Sequence, residues 1–169
     1  MARIPYPDPS SYEGQPLVER IRRERGGQLL NLYRMLLHSP SVTEGWLAFL
    51  TAIRHETELP GRYRELAILR VAVLNGAEYE FEAHVSHALE AGMSQEKIEA
   101  LRRGDIDRFS FLEKLVLQYT DAMTQDLVVP EALYPQLDKA FDAKTLVELT
   151  ATIAGYNMVS RFLIAMRIH

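Results

Sequence analysis

Residues 61–76 read GRYRELAILRVAVLNG, and residues 75–92 continue as NGAEYEFEAHVSHALEAG. In the first stretch the apolar residues Leu66 to Leu69 and Val71 to Leu74 are broken only by Arg70, so nearly every face of a helix built from them is apolar. Such a helix is covered on several sides. In the second stretch the polar residues Glu80, His84 and His87 recur at i, i+4 and i+7 beside an apolar stripe of Phe81, Val85, Ala88 and Leu89, which is helical spacing again. A second run apolar almost all round, LVELTATIAGYNMVSRFLIAMRI at 146–168, lies near the other end of the chain. One side of these two runs is expected to form a subunit interface.

Working outward, helical spacing continues through windows at 17–25, 28–38, 41–58, 61–75, 78–91, 95–103, 110–125, 130–140 and 143–167. Proline at Ser39-Pro40 and Leu59-Pro60 marks helix starts, Ser110 with Glu113 fits a capping box, and Gly92 suits a left-handed helix end. No segment alternates as a strand. The expected fold is therefore all-α, a single-domain helical bundle of eight or nine helices over 17–169. Prolines at 5, 7, 9 and 16 make residues 1–16 an extended arm that must dock on the rest of the chain.

The chain has 169 residues, 47% hydrophobic and 25% charged, which is ordinary for a folded domain of this length. A formal net charge of −4 gives no general attraction for nucleic acid or an anionic membrane surface, and neither is expected as a partner. The amino terminus has no apolar signal core, so a cytoplasmic location is expected. There is no cysteine, which removes disulfides, thiolate metal sites and cysteine nucleophiles together.

Among the groups that can carry chemistry, Glu65 and Arg70 sit inside the apolar run, where a charge requires a partner or a changed protonation state. Glu80, His84 and His87 form either an inward-facing site or the solvated side of a helix. A glutamate and two histidines fall short of the usual ligand set, so no metal is expected, and no cofactor either. His38, His55 and His169 are isolated. Ser86 lacks the strand-turn-helix elbow of an esterase nucleophile, and there is no glycine-rich phosphate loop.

The run RELAILRVAVLNGAEYEFEAHVSHALEAGMSQEKIEAL, residues 64–101, resembles the core of the carboxymuconolactone decarboxylase family, which includes the alkylhydroperoxidase D branch. NLYRMLLHSP upstream and GYNMVSRFLIAMRIH downstream resemble flanking parts of longer members. The resemblance implies an alkylhydroperoxidase D-like helical bundle. In the peroxidase branch a glutamate is followed twelve residues later by a Cys-x-x-Cys pair, then by a histidine four residues after the second cysteine. That register falls here on Glu65, Ala77, Glu80 and His84, with Tyr79 where that branch has a histidine. Both redox sulfurs are gone, which excludes thiol peroxidase chemistry and points to the cysteine-free, decarboxylase-like branch.

What the resemblance implies is cofactor-free decarboxylation of a small lactone or carboxylic acid from aromatic-compound catabolism. His84 is the expected proton donor, facing a pocket, with Glu65 orienting it and Glu80 adjusting its charge. Arg161 or Arg70 would bind a substrate carboxylate through the guanidinium fork, with Tyr79, His87 and Asn157 lining the site. The alternatives are an isomerase or lactone hydrolase using the same acid–base pair, or a non-catalytic assembly protein. A homo-oligomer, trimer or hexamer, is expected from the family habit and the two apolar helices.

Overall fold

The computed structural model describes all 169 residues, as nine α-helices with two 3-10 turns, one π-helical turn and no strand. The helices are α1 (Pro16–Glu24), α2 (Asn31–Leu36), α3 (Pro40–His55), α4 (Gly61–Asn75), α5 (Glu78–Glu90), α6 (Gln95–Arg103), α7 (Phe111–Asp121), α8 (Tyr134–Ala140) and α9 (Ala143–Met166). No helix is long and apolar enough to cross a membrane. The contacts divide the chain into two compact units, residues 1–56 with 163–169, and residues 57–162.

In the first unit Val18 and Ile21 of α1, Leu32, Tyr33, Met35 and Leu36 of α2, and Leu47, Leu50 and Ile53 of α3 form the apolar interior. The proline-rich arm docks here. The Arg3 backbone N–H donates to Met166 O at 3.0 Å and its Nε to Ala165 O at 2.7 Å, satisfying carbonyls that the end of α9 leaves unpaired. His38 Nε2 lies 2.9 Å from Pro5 O, the Arg34 guanidinium covers the Tyr6 ring, and Tyr12 is buried. Gly26 and Gly27 both hold left-handed backbone, so α2 begins three residues later than the apolar spacing suggests.

In the second unit α4 is the pillar. Leu66, Ala67, Ile68, Leu69, Val71 and Ala72 are all buried, as continuous apolarity requires, and α5 and α7 pack against this helix. α4 stops at Gly76, whose φ of 66° is left-handed; the next N–H, of Ala77, reaches back to Ala72 O at 2.8 Å. Two residues thus separate α4 from α5 and set the register between them. α7 opens on the Ser110–Glu113 capping box and runs on into a π-helical turn, Ala122–Asp126, in which Thr124 is buried. α8 starts at Tyr134, a turn later than its spacing implies, with Pro135 in its first turn.

Candidate active site

Two turns of helix bring the chemistry together. On α5 the buried residues Glu80, Phe81, His84 and Ala88 recur at helical spacing and make the inward face. Leu89, expected in the apolar stripe, is instead 42% exposed, and Val85 and His87 are half-buried. The inward face therefore runs through the polar pair itself. Glu65, near the start of α4, is buried opposite it.

His84 Nδ1 lies 2.8 Å from Glu65 Oε2, and Nε2 lies 3.2 Å from Glu80 Oε1. Arg64 Nε donates to the other Glu65 oxygen at 3.1 Å. The Tyr156 ring of α9 stands edge-on to the imidazole, with centroids 5.0 Å apart at 89°. Burial by itself would lower the His84 pKa, but hydrogen bonds and charge from Glu65 and Glu80 outweigh it and hold the pKa above its ordinary value. Burial likewise works to raise the Glu65 pKa, and the bonds and charges of His84 and Arg64 bring it below the usual carboxylate range.

The protonation state follows from the geometry. A neutral imidazole has one N–H and one lone pair, so one ring nitrogen would face a carboxylate oxygen lone pair to lone pair. An imidazolium donates to both. The four groups Arg64, Glu65, His84 and Glu80 then carry two positive and two negative charges, which makes a buried cluster of this size tolerable. The arrangement stores one proton between two carboxylates, in a group whose pKa they hold above its ordinary value.

The sequence-expected site residues separate here. Glu65, Glu80 and His84 converge, with the expectation that His84 faces a pocket corrected: it is buried and both nitrogens are occupied. His87 lies beside it, ring centroids 5.4 Å apart, with Nδ1 3.8 Å from the Glu90 carboxylate. Tyr79 is half-buried on the preceding turn of α5. Arg70, expected to hold substrate, is corrected: Nε and Nη2 donate to the two Asp121 oxygens at 2.6 and 2.8 Å, which fills its fork. Asn157 is corrected as well. Its amide donates to Thr124 Oγ1 and Ile153 O and accepts from Asn75, leaving it a tie between α9, α4 and the π-helical turn. Arg161 is exposed on α9, and no hydrogen bond joins it to the cluster. No group of three or more His, Asp or Glu side chains is placed to hold a metal ion.

Sequence reasoning missed Arg64 as a partner of Glu65 and Tyr156 as a neighbour of the imidazole. Arg64 adjoins Glu65 in sequence, and adjacent helical residues do not ordinarily face one another. Tyr156 is brought in by tertiary packing alone.

Residues 40–120 match the carboxymuconolactone decarboxylase family. The chain is 30% identical over 106 residues to the protein YdfG of Bacillus subtilis (strain 168), covering 61% of this chain and 72% of YdfG. It belongs to the carboxymuconolactone decarboxylase family. Its fold is that of alkylhydroperoxidase D. A peroxidase-related protein from Ralstonia eutropha JMP134 with the AhpD core superposes with a TM-score of 0.84 over 99% of this chain and 91% of that one, at 15% identity. The debrominase Bmp8, as a cysteine-to-alanine variant in complex with 2,3,4-tribromopyrrole, superposes with a TM-score of 0.78 over 96% and 88%, at 16% identity.

Proposed function

We propose that the protein is a cofactor-free acid–base enzyme that decarboxylates a small lactone acid or related carboxylic acid. The observation that carries this reading is one buried imidazole held between two carboxylates, hydrogen-bonded to Glu65 and in ion-pair contact with Glu80, in a chain of this family without cysteine. In decarboxylation the carbon–carbon bond to the departing carboxylate breaks and its electron pair passes to a conjugated carbonyl. Carbon dioxide leaves, and the enolate carbon then takes a proton. His84 is the proton reservoir. Because both its nitrogens are engaged, the proton reaches substrate through Glu80, whose side chain is 8% exposed against 4% for Glu65. Glu65 holds the imidazolium in place, and a proton from solvent recharges the ring after each transfer. Hydroperoxide reduction by dithiol chemistry has no residue to run it.

The working unit in this proposal is a homo-oligomer, a trimer or hexamer, a reading supported by the exposed apolar residues Val147 and Met158 on α9. The test of function is product analysis with a panel of lactone acids and unsaturated keto acids in deuterated water. The expected result is carbon dioxide release with one solvent deuteron incorporated per turnover. A product formed without carbon dioxide overturns decarboxylation in favour of isomerisation or lactone hydrolysis by the same acid–base pair.

A further inference from the structure

The cluster around His84 includes a guanidinium whose chemistry is only partly used. Of the five donors of Arg64, Nε alone is engaged, on Glu65 Oε1 at 3.1 Å. The side chain is 20% exposed, and neither Nη1 nor Nη2 is a buried atom lacking a partner. Both therefore reach solvent at the edge of the cluster. Gly61, one turn back, adjoins Arg64 Nη2; a Cβ there would stand in ordinary contact at 3.4 Å. A guanidinium fixed through Nε with both terminal nitrogens open is a preorganised fork for a planar anion.

The other arginines near α4 are committed elsewhere. Arg70 is filled by Asp121, and Arg62 folds onto Tyr63, bonding its hydroxyl at 3.1 Å with the guanidinium 4.7 Å above the ring. Arg64 differs from both in sharing a carboxylate with the imidazole: Glu65 accepts Arg64 on Oε1 and faces His84 with Oε2. A molecule held on the Arg64 fork is connected to the imidazole through the two oxygens of Glu65.

We propose that Arg64 is the substrate-anchoring residue of this site and that its ligand is a small organic carboxylate, gripped by Nη1 and Nη2 beside Glu65, which links the fork to the His84 imidazole. This rests on the acid–base reading given above and adds the anion that reading leaves without a binding residue. The preference for a planar monoanion follows from the fork; an uncharged molecule of the same shape has nothing there to accept two parallel bonds.

The test follows the His84 ring signals by NMR while benzoate, and separately uncharged benzamide, is added at constant ionic strength. Expected are a saturable shift with benzoate, none of comparable size with benzamide, at least tenfold weaker benzoate binding in Arg64→Gln, and unchanged binding in Arg161→Gln. If Arg64→Gln fails to fold, Arg64→Lys decides, because it keeps the charge and loses the fork; several-fold weakening is expected. Equal binding by the Arg64 variants and the wild type overturns the assignment. So does loss of binding in Arg161→Gln instead, an equal response to benzamide, or no response to benzoate in the wild type. The ligand-free titration of His84 in the same samples separates the two levels: a midpoint that is not raised removes the acid–base reading, whereas a raised midpoint without a benzoate effect removes only the role of Arg64.

Discussion

His84→Gln is expected to abolish turnover and to lower stability by about 3–5 kcal/mol, the usual cost of removing one partner from a buried ion pair. For a chain of this length that corresponds to a fall in Tm of roughly 6–20 °C. The sequence alone suggests a far smaller loss of stability, since an imidazole facing a pocket supports little packing. The structure reverses that expectation, because the ring is buried and both Glu65 and Glu80 would be left without it. The pH dependence carries the same signature. A histidine pKa raised by folding contributes stability that is fully present below about 6.5 and is lost as pH rises through the raised value. The lowered Glu65 pKa contributes stability present above its ordinary 4.5 and lost as pH falls through the lowered value. Denaturation curves of the wild type should therefore weaken on the alkaline side, and the His84→Gln curve should be flatter there. Equal slopes in the two proteins would remove the imidazolium from the account.

Leu66→Ala is expected to cost about 2–5 kcal/mol, from lost burial together with the cavity left behind. Leu66 is fully buried on α4, beside Glu65 in sequence, in a helix against which both α5 and α7 pack. Neighbours on several sides cannot all move into the space, which places the loss in the upper part of that range. Urea titration measures it, and a loss below about 1 kcal/mol would show that α4 is not the pillar of its unit. Exposed Val128, beyond the π-helical turn, supplies the comparison. Substitution there should change stability by no more than about 0.5 kcal/mol.

Much of this was legible before any coordinates. Apolarity at 66–74, broken only by Arg70, identifies α4 as a buried helix, and the i, i+4 spacing of Glu80 and His84 places them on one face, because both features depend on local geometry alone. The pairing of Glu65 with His84 came from the family register, and the structure supplies its distance. What stayed hidden depends on contacts between distant segments. Nothing in the sequence around Arg70 announces Asp121, fifty-one residues on, so a filled fork reads as a free one. Asn157 looks like a ligand for the same reason: its partners Thr124 and Asn75 are far away in the chain. The late start of α2 was closer to hand, since Gly26-Gly27 signals left-handed backbone directly.

The central claim is that His84 is held as an imidazolium between two carboxylates, and the most direct measurement is an NMR titration of its ring carbon and nitrogen signals in the wild type and in Glu80→Gln. The account predicts a midpoint above the ordinary 6.5 in the wild type, with both ring nitrogens protonated below that midpoint, and a lower midpoint in Glu80→Gln, where one favourable charge is gone at nearly constant shape. A wild-type midpoint at or below 6.5, or one that Glu80→Gln leaves unmoved, would contradict it.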